Sequence, residues 1–205
     1  MKWILSTTVC RSGSLALLLS VALCPNMLSA APLQVGEQAP IWNYSIGTPS
    51  GGNVDRQALR GKVVLLDIWA TWCEPCRKSL PVYMALQTEL GPAGFAVVAI
   101  SVDARADELQ EFVTKAKLNF SAIGWDPKGL WPTRIGLKTM PTAVLIDRQG
   151  RVSKIFEGFT DEEHKRLETA VRALVGKASS PTAATEKARQ DQEVPAVPKV
   201  EPANP

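Results

Sequence analysis

The sequence predicts an α/β fold in which a mixed central β-sheet is flanked by helices. Three runs of mostly apolar, often β-branched residues have the length of strands and cover 63–69, 95–102 and 143–146. Because these runs are apolar on both faces, they are typical of central strands that are covered from two sides. The segment 152–157 alternates instead, which indicates an antiparallel edge strand. A parallel β-α-β half, a hairpin and a closing helix satisfy this order.

Helices are predicted between and after these strands. The segment after Cys73 carries apolar residues that suit one helix face: Leu80, Tyr83, Met84 and Leu90. The segment 106–118 repeats apolar residues at i, i+3, i+4 and i+7: Leu109, Phe112, Val113 and Ala116. The last helix is expected to start at a capping box formed by Thr160 and Glu163 and to stop at Gly176.

The first part of the chain, residues 1–30, is expected to be an export signal. It has basic residues and no acidic ones, a nine-residue apolar run, and small residues before a cleavage site at Ala31. Nine residues rise about 14 Å as a helix, well short of a hydrocarbon core of roughly 30 Å. An uncleaved membrane anchor over 13–28 and a lipidated Cys24 are the alternatives.

The rest of the chain divides into one domain, 31–176, and a tail, 177–205. The tail holds five prolines, six alanines and no aromatic residue. Such a composition cannot bury enough apolar surface to offset the entropy of ordering, so the tail is predicted to be disordered. The whole chain has a net charge of +3 without a basic stripe, which gives no support for nucleic-acid binding.

Two cysteines, Cys73 and Cys76, would remain after export, since Cys10 and Cys24 lie in the signal. A disulfide that closes so short a loop removes little chain entropy, so reactivity explains the pair better than stability does. Cys73 follows a buried strand and starts a helix, where unpaired N–H groups favour a thiolate. We expect an exposed Cys73 to attack a partner disulfide, and a more covered Cys76 to resolve the mixed disulfide.

The residues around this pair are expected to adjust its chemistry and to contact the substrate. Arg77 and Lys78 should favour the Cys73 thiolate and Glu74 should oppose it. The chain neighbours of the two cysteines are predicted to bind substrate: Trp72, Glu74 and Pro75.

Asp67 interrupts an otherwise apolar strand. A buried carboxylate is costly unless it is paired or protonated. Because it lies six residues before Cys73, we expect it beneath the active-site helix, with a raised pKa, as the group that relays the proton of Cys76. The alternative is that Asp67 faces solvent or caps a neighbouring loop.

Pro141 stands at the head of a predicted central strand, where proline is uncommon. A cis Met140–Pro141 bond would turn the backbone of Met140 towards the cysteines, where it could pair with an extended substrate segment. From the residues alone, a trans proline that ends a loop fits equally well.

A CxxC pair can also be half of a zinc site. Structural zinc needs four ligands, but the sequence has no second pair, and its one histidine, His164, lies on the polar side of the last helix. The sequence therefore predicts no metal and no cofactor, and it excludes histidine-based catalysis.

From about residue 35 to 175 the chain resembles the exported thioredoxin-like oxidoreductases of the TlpA, ResA and DsbE (CcmG) type. The motifs that carry this resemblance are WATWCEPCRK at 69–78, Pro81 in the next helix, and Met140-Pro141-Thr142. The resemblance implies a thioredoxin fold with a central insertion at 104–138. It also implies that Cys73 is the nucleophile, that Cys76 is the resolving thiol and that Pro141 is cis.

The same resemblance implies a periplasmic reductase. Its electrons would come from a membrane thiol transporter of DsbD/CcdA type. Its substrates would be the disulfides of partner proteins, such as apocytochrome c or copper-site assembly proteins. Two positions depart from ResA-type proteins: Ser79 stands where they carry glutamate, and Asp67 stands where they often lack an acid.

Three other functions compete with this interpretation. Peroxiredoxins need Pro-x-x-x-Thr/Ser-x-x-Cys, but counting back from Cys73 finds Ala70 and Leu66. Sco-type copper chaperones use Cys-x-x-x-Cys with a later histidine before the closing strands, whereas here the spacing is CxxC and His164 lies in the last helix. A thiol oxidant of DsbA type would use the same residues, and only the reduction potential separates the two directions of electron flow.

Overall fold

The computed structural model of the chain describes residues 32–177. The predicted export signal and, apart from Lys177, the predicted disordered tail lie outside these residues. Within the described part, no helix combines the length and the apolar character that crossing a membrane requires.

Five strands form one mixed sheet in the order β3-β2-β1-β4-β5. They are β1 (Val63–Trp69), β2 (Phe95–Ser101), β3 (Ala122–Trp125), β4 (Thr142–Ile146) and β5 (Val152–Glu157). β1 and β3 run parallel to β2, whereas β4 is antiparallel to both β1 and β5. Every residue of β1, β2 and β4 is buried, while the edge strand β5 buries Val152 and Phe156 and exposes Lys154 and Glu157. The predicted alternation is not strict, because the pairing of β5 with β4 shifts register between Leu145 and Ile146. The predicted thioredoxin-like fold is confirmed.

Four α-helices accompany the sheet: α1 (Glu74–Leu90), α2 (Ala106–Lys115), α3 (Leu130–Ile135) and α4 (Asp161–Gly176). The capping box of α4 forms as expected, with Thr160 Oγ1 accepting from the Glu163 N–H. α2 ends at Lys115, earlier than the predicted 118. The chain turns there through Lys117, whose φ is 51°, and the Leu118 N–H donates to Val113 C=O. That is a Schellman ending made without glycine.

The sheet separates two apolar cores. Alternate β1 side chains pack against α1, α2 and α4 on one face: Val63, Leu65 and Trp69. The remaining β1 side chains pack on the opposite face: Val64, Leu66 and Ile68. That second face is covered by the short helix α3 and by the irregular N-terminal segment, through Ile41, Ile46 and Trp131. Both faces are therefore covered, as the apolar runs predict, but only one is covered by long helices.

At the end of the sheet that lies away from the cysteines, Arg148 links three segments of the chain by hydrogen bonds. Its guanidinium donates to three carbonyls from separate parts of the chain, those of Gly61, Ala93 and Val175, at 3.0, 2.9 and 3.2 Å. Arg148→Ala is expected to lower the free energy of unfolding by about 2 kcal/mol, because charge-assisted hydrogen bonds are lost. Urea unfolding measures this, with Gln149→Ala on the exposed neighbour as control. Equal stability of the two variants would show that the three hydrogen bonds of Arg148 do not stabilise the fold.

Candidate functional site

Residues 70–73, called the catalytic loop below, join β1 to α1. After Trp69 the chain makes a turn in which the Cys73 N–H donates to Ala70 C=O at 3.1 Å. Cys73 is then the N-cap of α1, and its Sγ accepts from the Cys76 N–H at 3.3 Å. Pro75 occupies the first turn of the helix, where its missing N–H costs nothing. The first turn of α1 therefore directs one backbone donor, the Cys76 N–H, and the positive end of the helix dipole at the Cys73 sulfur.

Cys73 and Cys76 form a disulfide in this structure, with their Cα atoms 5.3 Å apart. Cys76 is fully buried, as predicted, but Cys73 is only 7% exposed. The prediction of an exposed Cys73 is wrong for this oxidised state, because its sulfur is directed at Cys76 and at the first turn of α1. Trp72, in contrast, is 65% exposed beside it. In the oxidised form the most accessible part of the loop is thus an aromatic ring.

The charged residues near the pair largely balance one another. Glu74 forms an ion pair with Lys78 at 2.9 Å on the exposed side of α1. The hydrogen bond and the charge of Lys78, helped by the charge of Arg77, lower the pKa of Glu74, which is therefore ionised. Because Lys78 is engaged by Glu74, Arg77 is the one cation of this turn left to favour the Cys73 thiolate.

Asp67 is fully buried in the middle of β1. It pairs with Ala99 of β2 on one side and with Ala143 of β4 on the other, and these alanines belong to the core that contains Cys76. Its side chain therefore points to the face covered by α1, and the solvent-facing and loop-capping alternatives are wrong. Neither carboxyl oxygen has a hydrogen-bond partner within residues 32–177. Burial raises the pKa of Asp67 to about 8.

Two buried hydroxyl groups of α1 lie on the same side of the sheet. Ser79, at the position where ResA-type proteins carry glutamate, donates to Cys76 C=O at 2.8 Å. Tyr83 packs in the same core as Cys76, and its burial, followed by the nearby Asp67 carboxyl, raises its pKa. Both groups stay neutral, so Asp67 is the group of this core that can exchange a proton near neutral pH.

The Met140–Pro141 bond is cis, as predicted. Because Ile68 of β1 pairs with Thr142 of β4, this loop lies beside the end of β1 from which the cysteines follow. The loop is held by its own neighbours: Pro141 C=O accepts from the Gly158 N–H at 2.8 Å. Pro141 is buried and Met140 half-buried between the two cores. The two predicted halves of the site are thus brought together.

Sequence reasoning missed one residue at this end of the sheet, Asp103. It follows β2 directly and its carboxylate accepts hydrogen bonds from Thr71 in the catalytic loop. The available signal was its position, since the carboxyl ends of the parallel strands β1 and β2 meet at one edge of the sheet.

Other predicted features are placed away from the reacting sulfurs. His164 is half-buried and stacks on Phe159, with ring centres 5.6 Å apart, rather than standing free in solvent. Leu66, at the proline position of the peroxiredoxin motif, points into the opposite core. Among residues 32–177 no three His, Cys, Asp or Glu side chains are grouped to hold a metal ion.

Comparison with known proteins agrees with this geometry. The Redoxin family model matches residues 34–171. The thiol–disulfide oxidoreductase ResA of Bacillus thuringiensis is 28% identical over 142 residues, covering 69% of this chain and 79% of the relative. The thioredoxin-like protein YneN of Bacillus subtilis is 34% identical over 129 residues, covering 62% and 73%.

Solved structures extend the likeness to the fold. A structure from Chlorobium tepidum, described as a thiol:disulfide interchange protein of DsbE type, superposes with a TM-score of 0.65 at 36% identity. The match covers 70% of this chain and 99% of that one. With the dithiol at the start of α1 and cis-Pro141 beside it, the chain belongs to the Redoxin family and is a thioredoxin-like thiol–disulfide oxidoreductase.

Proposed function

We propose that this protein works in the periplasm as a reductase of disulfides in partner proteins. Electrons would arrive from a membrane thiol transporter of DsbD/CcdA type and leave to apocytochrome c or to copper-site assembly proteins. The observation that carries the proposal is the Cys73–Cys76 dithiol at the N-terminus of α1, with Asp67 buried on the face that α1 covers. The likeness to ResA and to a DsbE-type protein supports the reductive direction.

The exchange would run in two steps. The Cys73 thiolate attacks one sulfur of the partner disulfide, and the other partner sulfur leaves as a thiolate and takes a proton. Cys76 then gives its proton to Asp67 and attacks the Cys73 sulfur. The bond between Cys73 and the partner breaks, and the second partner sulfur leaves as a thiolate, which is protonated as Asp67 gives up the proton that it accepted. Two electrons and two protons pass to the partner, and the enzyme is left with the disulfide seen here.

Asp67 suits this role because its pKa is about 8. A carboxyl group that titrates near the working pH can accept a proton from a thiol and return it without a large free-energy step. Its flanking residues, Ala99 and Ala143, are small, so the carboxyl is surrounded by the core rather than by competing donors.

Substrate would be held by the loop surface around the pair. The exposed ring of Trp72 offers an apolar contact next to Cys73. The backbone of Met140, turned by the cis bond, would pair with an extended segment on one side of the partner cysteine. Glu74 and Pro75 are exposed on the first turn of α1 and would border the same segment.

The local charges also favour a reductant over an oxidant. A strongly oxidising dithiol needs its reduced form stabilised, chiefly through a very stable thiolate. Here the ionised Glu74 opposes the thiolate and occupies Lys78, which leaves the α1 N-terminus and Arg77 as support. We therefore expect a moderately lowered Cys73 pKa and a reducing couple.

The reduction potential of the Cys73–Cys76 pair tests the proposal. Equilibration of the purified protein with glutathione buffers is expected to give a value nearer to the roughly −270 mV of thioredoxin than to the roughly −120 mV of DsbA. A value near that of DsbA would overturn the reductive direction and establish an oxidant instead. Fractionation of cells that produce the full chain tests the location, since recovery of the protein in the cytoplasm would contradict export.

A further inference from the structure

A buried carboxylate, that of Asp103, lies against the catalytic loop. Asp103 follows β2 and is only 2% exposed. Its two oxygens accept from the Thr71 N–H at 3.0 and 3.2 Å, and one of them accepts from Thr71 Oγ1 at 2.7 Å. Ser101 Oγ of β2 also donates to the carboxylate, at 2.6 Å. The hydrogen bonds between the carboxylate and the β1–α1 loop all come from one residue, Thr71.

The backbone of Asp103 is fixed as firmly as its side chain. Its N–H donates to Ser101 Oγ at 3.0 Å, and its C=O accepts from the Trp125 indole N–H at 2.7 Å. The carboxylate is therefore anchored to β2 and β3, which belong to the buried sheet. A group held this way can impose a position on the loop rather than follow it.

Thr71 lies inside the turn that sets the place of Cys73. The turn is closed by the Cys73 N–H and Ala70 C=O, and Thr71 and Trp72 lie between these two residues. Thr71 is held inward by Asp103, and the next residue, Trp72, points out to solvent. Cys73 can cap α1 only when this turn delivers its sulfur to the helix N-terminus.

We propose that Asp103 is a positioning residue for thiol–disulfide exchange: it clamps Thr71 so that the turn presents Cys73 as the N-cap of α1. A carboxylate suits this task because it accepts several hydrogen bonds and donates none. The proposal rests on thiol–disulfide exchange itself and not on the direction of electron flow or the location, so the two can fail independently.

The clamp predicts a direction for the pKa of the Cys73 thiol that a simple charge effect would reverse. Removing a nearby negative charge alone would stabilise the thiolate and lower that pKa. Releasing the clamp would loosen the contact between Cys73 Sγ and the α1 N-terminus and raise it. A role limited to stability would leave the pKa of the folded variant unchanged.

Reduced variants separate these three cases. The pH dependence of Cys73 alkylation gives its pKa, and the reaction with a small aromatic disulfide gives the rate of exchange. Asp103→Ala is expected to raise the pKa by about one unit, which lowers the thiolate fraction below the pKa about tenfold. Because a more basic thiolate is also a better nucleophile, exchange should slow about threefold. Thr71→Val, which removes the hydroxyl but keeps the N–H, is expected to raise the pKa and to slow exchange less than Asp103→Ala does.

Asp103→Asn keeps the shape with fewer acceptors and is expected to lie between the natural protein and Asp103→Ala. The matched control is Asp126→Asn: Asp126 is also a buried aspartate, at the end of β3, but it accepts from the Trp131 N–H of α3. The control is expected to change stability without changing the Cys73 pKa. A lowered pKa in both Asp103 variants, or an unchanged pKa in both, would overturn the proposal. If Asp103→Ala fails to fold, Thr71→Val and Asp103→Asn decide it.

Discussion

Cys76→Ala is expected to convert the protein into a trap that accumulates mixed disulfides with its partners. Cys73 can still attack, but the thiol that would release the partner is gone, so the second step stops. Turnover in a protein-disulfide reduction assay should fall to the uncatalysed level. Because the substitution leaves Cys73 as the remaining thiol of the pair, the trapped partner is expected to be linked through Cys73.

The adducts are measured by non-reducing electrophoresis of the full chain purified from its own cellular compartment, followed by mass spectrometry. Cys73→Ala is the matched control, since it keeps the buried thiol and removes the capping one. Adducts of equal abundance in the two variants would show that Cys73 is not the nucleophile. Recovery of cytochrome c or copper-assembly proteins in the trap would support the proposed substrates.

Asp67→Asn is expected to have opposite effects on stability and on activity. The pKa of Asp67 is raised to about 8, so the folded protein binds a proton between about pH 4 and pH 8 that the unfolded chain releases. The stability of the natural protein should therefore fall as the pH rises through this window, whereas that of the variant should not. At pH 9 the variant should be more stable by on the order of 5 kcal/mol.

Urea unfolding of both oxidised proteins at pH 4, 7 and 9 measures this difference. At pH 4 the natural carboxyl is neutral, so the two proteins should differ little; a difference that stays constant over the three pH values would contradict burial of an ionisable Asp67. In activity the variant should release its mixed disulfide at least tenfold more slowly at pH 7, because general-base assistance is lost. The deficit should shrink at pH 9, because hydroxide can then remove a thiol proton without a general base.

The parts of this fold that the sequence predicts well are those whose local pattern has one physical meaning. β1 is apolar on both faces, and its burial on both sides follows from that alone. The α4 start follows from the Thr160–Glu163 box. The dithiol at a strand-to-helix junction is likewise a local arrangement, and it points to redox chemistry before any contact is known.

The parts that it predicts poorly depend on contacts between distant segments. The α2 ending was missed because Lys117 adopts the conformation that glycine usually signals. Asp103 could not be selected by pattern, since only the packing of β2 against β1 brings it to Thr71. The 7% exposure of Cys73 is a property of the folded, disulfide-bonded loop, which a local sequence pattern does not report.

The pairing of Ile68 with Thr142 has a consequence for the choice of partners. The reacting sulfur follows one strand and the Met140 backbone precedes its neighbour, so a rigid hydrogen-bonded ladder sets the spacing between the two. The spacing between the Cys73 sulfur and the Met140 backbone is therefore set by the sheet and is not expected to adjust to the bound segment. For the proposed exchange with partner proteins, we therefore expect flexible or partly unfolded segments around the partner disulfide to react faster than the same segments held in a compact fold.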